Sequence, residues 1–133
     1  EVLTTGTAYM TELNALNINI ANAKVNKQVD EMMRISRSIF DFITKNPAKM
    51  REIRQFMNYY LPTSINLLKN YDEFNKQTVK SENITAAMKK IEGVLDTIVI
   101  AFSRVLDDLF KDKVLNTSVD IEVLEKMIKD EGF

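Results

Sequence analysis

The sequence predicts an all-α protein: an elongated antiparallel three-helix bundle with a short fourth helix at the C-terminus. Three observations carry that expectation. Only 3 Gly and 2 Pro occur in 133 residues, too few turn-formers for a sandwich or barrel. Apolar residues recur at alternating spacings of three and four over long windows, the period of packed helices. Hydrophobic residues make up 45% and charged residues 28%, enough to bury a core under a solvated surface. The length is that of one domain, residues 1–133, with residues 1–7 expected to fray.

The first helix is expected over residues 8–44. Val25, Val29, Met32, Ser36, Ile39 and Ile43 form a regular seam in its second half. Its first half, LNALNINIANAKVN, holds five Asn, which disfavour helix interiors. Leu13, Leu16, Ile20 and Ala23 nevertheless keep helical spacing, so one continuous helix is predicted. TKNPAKM ends it. Asn46 is expected to cap the next helix, with Pro47 in its first turn, where a missing N–H costs nothing.

The second helix is expected over residues 47–78. Met50, Ile53, Met57, Tyr60, Ser64, Leu67, Tyr71, Phe74 and Thr78 continue one register through Pro62. Phe56, Leu61, Ile65 and Leu68 widen the apolar face beside this seam. A single helix kinked at Pro62 follows, because the proline ring would meet the carbonyl of Asn58. VKSEN is a polar connection, with Ser81 or Asn83 as cap of a third helix over 84–113. Its face runs Ile84, Met88, Ile91, Leu95, Ile98, Phe102, Val105 and Leu109. Gly93 inside it costs about 1 kcal/mol relative to Ala and would admit a close neighbour. Thr117 with Asp120 resembles a capping box for the short fourth helix, whose stripe is Ile121, Leu124 and Ile128.

Net charge is −1, without the basic stripe of a nucleic-acid binder. No run of 18 apolar residues offers a membrane span. The chain begins at Glu1 rather than Met, as expected of a fragment or processed chain, which leaves room for an anchor upstream. The absence of Cys and His removes disulfides, thiolate nucleophiles, Ser-His triads and nearly all zinc sites. Any chemistry falls to carboxylates, Lys, Arg, Tyr and hydroxyls.

NYYLPTSINLLKNYDEF, Asn58 to Phe74, is similar to the signature of the XpaC-like, bromo-chloro-indolyl phosphate hydrolysis family of bacterial proteins. KKIEGVLDTIVIAFSRVLDDLF, TSVDIEVLEKMIKDEGF and the upstream RISRSIFDFI resemble it too, in the right order, over roughly the last hundred residues. The resemblance implies hydrolysis of an indolyl phosphate ester. It supplies no catalytic residues, and its relatives imply a bacterial protein in the cytoplasm or on the cytoplasmic face of a membrane.

The residues themselves offer little catalytic equipment. There is no GxxxxGK[ST] loop and no strand to carry one. Glu92 and Asp96, four apart on one helix face, are the candidate carboxylates for Mg²⁺, with a solvated face as the plainer alternative. No other cofactor is implied. Lys45, Lys49, Arg51 and Arg54 gather near a helix start as a candidate anion patch, or else a solvated basic turn. Asn58, Tyr59 and Pro62 form a candidate site at the kink, or else simply cap it. Asp30–Arg34 and Arg37–Asp41 are expected helix-surface ion pairs. Tyr60 and Tyr71 are expected in the core, with hydroxyls reaching an edge or a partner. Two functions follow: an interaction or scaffold module, self-associating or binding another protein, and, from the resemblance alone, a phosphate-ester hydrolase.

Overall fold

A computed structural model describes residues 2–132, with side chains described for residues 4–132. Among the described residues every regular element is helical. α1 (Val2–Asn19) and α2 (Ala23–Lys45) stand where a single helix was expected over 8–44. α1 starts at Val2, within the stretch 1–7 that was expected to fray. Gly6 explains part of this, because a Cβ there would lie only 2.9 Å from Cζ of Phe40. The missing side chain lets the start of α1 lie directly on the α2 ring.

Asparagines make the break between α1 and α2. Oδ1 of Asn22 accepts from the Val25 N–H at 3.1 Å, which makes Asn22 the N-cap of α2. Nδ2 of Asn26 reaches back to the carbonyls of Asn17 at 2.7 Å and Ile20 at 3.0 Å, and to Oδ1 of Asn17 at 2.8 Å. Nδ2 of Asn17 in turn donates to Oδ1 of Asp30 at 2.7 Å. These short amides compete with the helical ladder and take over carbonyls that the end of α1 leaves open. Propensity against Asn in a helix interior therefore prevails over the apolar spacing of Leu13, Leu16, Ile20 and Ala23.

The next segment is helical but not uniformly α. It runs from a 3₁₀ stretch (Pro47–Ile53) through residues 54–55 to a π stretch (Phe56–Tyr60), then α3 (Leu61–Asn75). Asn46 does not cap it with its side chain; its Nδ2 instead donates to the Phe42 carbonyl at 2.9 Å and closes α2. The wide turn falls immediately before Pro62, where an α-helical ladder would drive the ring into the Asn58 carbonyl. The Leu61 N–H bonds to the Phe56 carbonyl, five residues back. The buried face keeps Ile53, Met57, Ser64 and Tyr71 of the expected seam and takes in the positions beside it. Ile53, Phe56, Met57, Leu61, Ile65, Leu68 and Tyr71 are buried, whereas Tyr60, Leu67 and Phe74 are half-buried and Met50 is exposed.

α4 (Glu82–Asp130) is a single helix of 49 residues, about 74 Å long. Ser81 caps it, accepting from the Ile84 N–H at 3.2 Å. No separate fourth helix follows residue 113. Thr117 donates to the Lys113 carbonyl at 2.7 Å and Ser118 to the Val114 carbonyl at 3.0 Å, mid-helix bonds rather than caps. Gly93 faces open space rather than a neighbouring helix.

The main packing pairs are α1 with α2, α2 with α4, α4 with α3 and α3 with α1, which closes a ring of four helices rather than three. Named contacts set the directions. Gly6–Phe40 and Asn17–Asp30 run α1 antiparallel to α2. Tyr71–Glu92 and Phe56–Phe102 run α3 antiparallel to α4. Gln28–Asp96 and Phe42–Phe110 make α2 and α4 parallel neighbours. The core follows Leu13, Val25, Val29, Met32, Ile39, Ile53, Leu61, Leu68, Leu95 and Phe102, with Phe56 edge-on to Phe102 at 4.9 Å.

Two substitutions check this account. Asn26→Ala removes three hydrogen bonds at the α1–α2 break and is expected to lower stability in urea unfolding by about 1–2 kcal/mol. Gly93→Ala, with nothing for the new methyl to strike, is expected to raise it by about 1 kcal/mol.

Candidate functional site

The densest polar cluster joins α2, α3 and α4 around Tyr71. α3 buries the Tyr71 ring completely, so its hydroxyl must find partners inside the protein. It donates to Oε2 of Glu92 at 2.6 Å and accepts from Nδ2 of Asn22 at 3.0 Å. One turn along α4, Oδ1 of Asp96 accepts from Nε2 of Gln28 at 2.6 Å, and the same amide reaches the Glu92 carbonyl at 3.1 Å. Oε1 of Gln28 is buried without a hydrogen-bond partner. Glu92 and Asp96 are thus brought together as the helix spacing suggests, with donors from α2 and α3 turned on them.

Burial together with the adjacent Glu92 carboxylate pushes the Tyr71 phenol up to about 12. At neutral pH it is a proton donor, holding Glu92 in place. A nucleophilic or basic tyrosine needs the opposite shift. Among the described residues no group of three or more Asp or Glu is placed to hold a metal ion.

The basic residues have different surroundings. Nζ of Lys49 lies 2.7 Å from Oδ2 of Asp112 and 3.3 Å from Oε2 of Glu52, which ties the 3₁₀ stretch to α4. The hydrogen bond to Asp112 raises the Lys49 ammonium and lowers the Asp112 carboxyl. Lys45 is exposed at the end of α2. Arg51 and Arg54 instead share a small apolar cleft with Met50, Ile53, Met57 and Asn58, so residues from two sequence-derived candidates meet there. Tyr59 is exposed on the π turn and Pro62 is half-buried, and neither lines that cleft. A larger groove of about 710 Å³ lies between the π stretch and α4, where Arg104, Glu52 and Asp108 edge an apolar floor of Phe56, Val105 and Leu109.

The expected Asp30–Arg34 pair is not formed. Arg34 places its fork on Glu31, at 3.0 and 2.6 Å, and Asp30 accepts from Asn17 instead. Arg37 and Asp41 line one groove together and form no ion pair among the described residues.

Beyond the bundle, α4 is bare. Its last ties are Phe110 against Phe42 at 4.7 Å, Asp112 with Lys49 and the Lys113 ammonium 5.8 Å from the Phe42 ring centre. Every residue from 110 to 132 is exposed, including Val114, Leu115, Val119, Ile121, Val123, Leu124, Met127 and Ile128. No described helix is long and apolar enough to cross a membrane.

Fold and sites define an all-helical bundle protein with one long projecting helix. The chain belongs to the family described as 5-bromo-4-chloroindolyl phosphate hydrolysis protein, whose profile matches residues 1–124. That match runs into the projecting part of α4. Searches of curated proteins and of solved structures find no match.

The raised Tyr71 phenol makes stability depend on alkaline pH. Below pH 10 the phenol is protonated whether folded or unfolded, and its contribution is complete. Between pH 10 and about 12 the unfolded chain loses this proton while the folded one keeps it, so stability falls. The fall attributable to Tyr71 is expected to be about 2 kcal/mol and to be absent in Tyr71→Phe, compared by urea unfolding at stepped pH.

Proposed function

We propose that the chain works by contact, as a helical-bundle interaction module that presents the C-terminal half of α4 to a protein partner. One observation carries this reading: residues 114–130 continue α4 with no packing from the bundle. A free helix of that length is marginal in water, and Val114, Thr117, Val119, Ile121, Val123 and Ile128 are all β-branched. Packing against a partner's apolar face supplies what propensity does not. The Tyr71–Glu92 and Gln28–Asp96 bonds support the same reading, since they use both acids to hold helices together. On this view the π stretch before Pro62 sets the bend of the third helical run around the core.

The second reading is phosphate-ester hydrolysis, which the family's description names. The shared cleft of Arg51, Arg54 and Asn58 favours it, because guanidinium groups suit phosphate oxygens. The purified chain should be assayed against an indolyl phosphate and a generic aryl phosphate, with and without Mg²⁺ or Mn²⁺. The contact module is expected to give no turnover. Turnover that co-purifies with the chain and disappears in Glu92→Gln, Asp96→Asn or Arg54→Ala would establish hydrolysis instead.

A further inference from the structure

We infer that the projecting half of α4 pairs with a second copy of itself, antiparallel, in a two-stranded coiled coil. The inference rests on the contact-module reading and names its partner.

The seam is drawn by the sequence and, beyond Phe110, whose ring also meets Phe42, is left open by the fold. Phe110, Val114, Thr117, Ile121, Leu124 and Ile128 follow one another at spacings of four, three, four, three and four. This is a fresh seam, because the one that α4 uses inside the bundle ends at Leu109 and would continue through Asp112 and Asn116. Val114, Ile121, Leu124 and Ile128 are each 45–61% exposed. Branched Val114, Ile121 and Ile128 take one core position of a two-helix seam, and Phe110, Thr117 and Leu124 take the other. Thr117, the polar member, already spends its hydroxyl proton on the Lys113 carbonyl, so burying it strands no donor.

Charge selects the direction. Antiparallel pairing through the full seam sets Val114 opposite Leu124 of the second copy, Ile121 opposite Thr117 and Ile128 opposite Phe110. Lys111 then flanks the core opposite Glu125 of the second copy, and symmetry repeats that pair at the other end. The one repulsive contact is Asp120 against its own counterpart at the two-fold axis. A parallel pair instead sets Asp120 against Glu125 twice and gains no attractive flanking pair. The antiparallel form also sends the two bundles to opposite ends of the coil.

Sedimentation of the 133-residue chain from about 1 μM to about 1 mM is expected to show a monomer–dimer equilibrium. Ile121→Asp, at a site no bundle residue touches, should weaken it at least about tenfold with helicity and unfolding of the bundle unchanged. Lys111→Glu and Glu125→Lys should each weaken it several-fold, and the double variant should restore it. Because the chain has no cysteine, mixing Lys111→Cys chains with Glu125→Cys chains should give a mixed disulfide dimer that neither forms alone. A monomer throughout, or a dimer indifferent to Ile121→Asp, overturns the self-pairing. A seam-dependent dimer with no mixed disulfide overturns the antiparallel arrangement. Both failures are separate from failure of the contact-module reading, which the phosphate assay decides.

Discussion

The architecture depends on the asparagine corner at residues 20–22. Without it, the apolar stripe from Leu13 to Ile43 would make one rod, and α1 would have no helix to fold back upon. With it, Asn22 closes α2 at its N-terminus and Asn26 gathers the loose carbonyls of α1. The same corner reaches outward. The second amide hydrogen bond of Asn22 goes to the Tyr71 hydroxyl, which passes the chain on to Glu92. Three helices and a turn are thereby held in register by groups that a purely apolar core could not align, since hydrophobic burial has no direction of its own.

Much of the fold was legible from periodicity. Buried Val25, Val29, Met32, Ile39 and Ile43 on α2, and Ile91, Leu95, Phe102 and Leu109 on α4, lie where spacing puts them. Two boundaries were not legible, for opposite reasons. At the corner, apolar spacing was persuasive and the asparagines decided the outcome through side-chain hydrogen bonds among residues 17–30, which apolar spacing does not register. At residues 114–120, Thr117 and Asp120 looked like a cap, yet the Thr117 hydroxyl turned back to its own helix and the chain ran on. The π turn hid differently: one residue inserted into a helix leaves the three-and-four pattern plausible on paper.

The candidate site was legible only in halves. Glu92 and Asp96 share a face because four residues separate them, which any helix guarantees. That Tyr71 and Gln28 would supply donors to those acids depends on the ring order of the four helices, which places α2 and α3 on either side of α4. The basic residues separated for a similar reason. Lys49 had an acid waiting on α4, sixty-three positions away, whereas Arg51 and Arg54 look out over a cleft that the 3₁₀ stretch and the π turn shape between them.

That pairing of unusual helices has a further consequence. A 3₁₀ stretch overwinds the chain and a π stretch underwinds it, so between Pro47 and Tyr60 the two partly cancel in phase. The segment is therefore a place where chain length and rotation are separable. Loss of one residue, the exposed Tyr59 for instance, would let the wide turn tighten to an ordinary one. Length variation here would re-aim Arg51 and Arg54 relative to α4 while leaving α3 seated on the core.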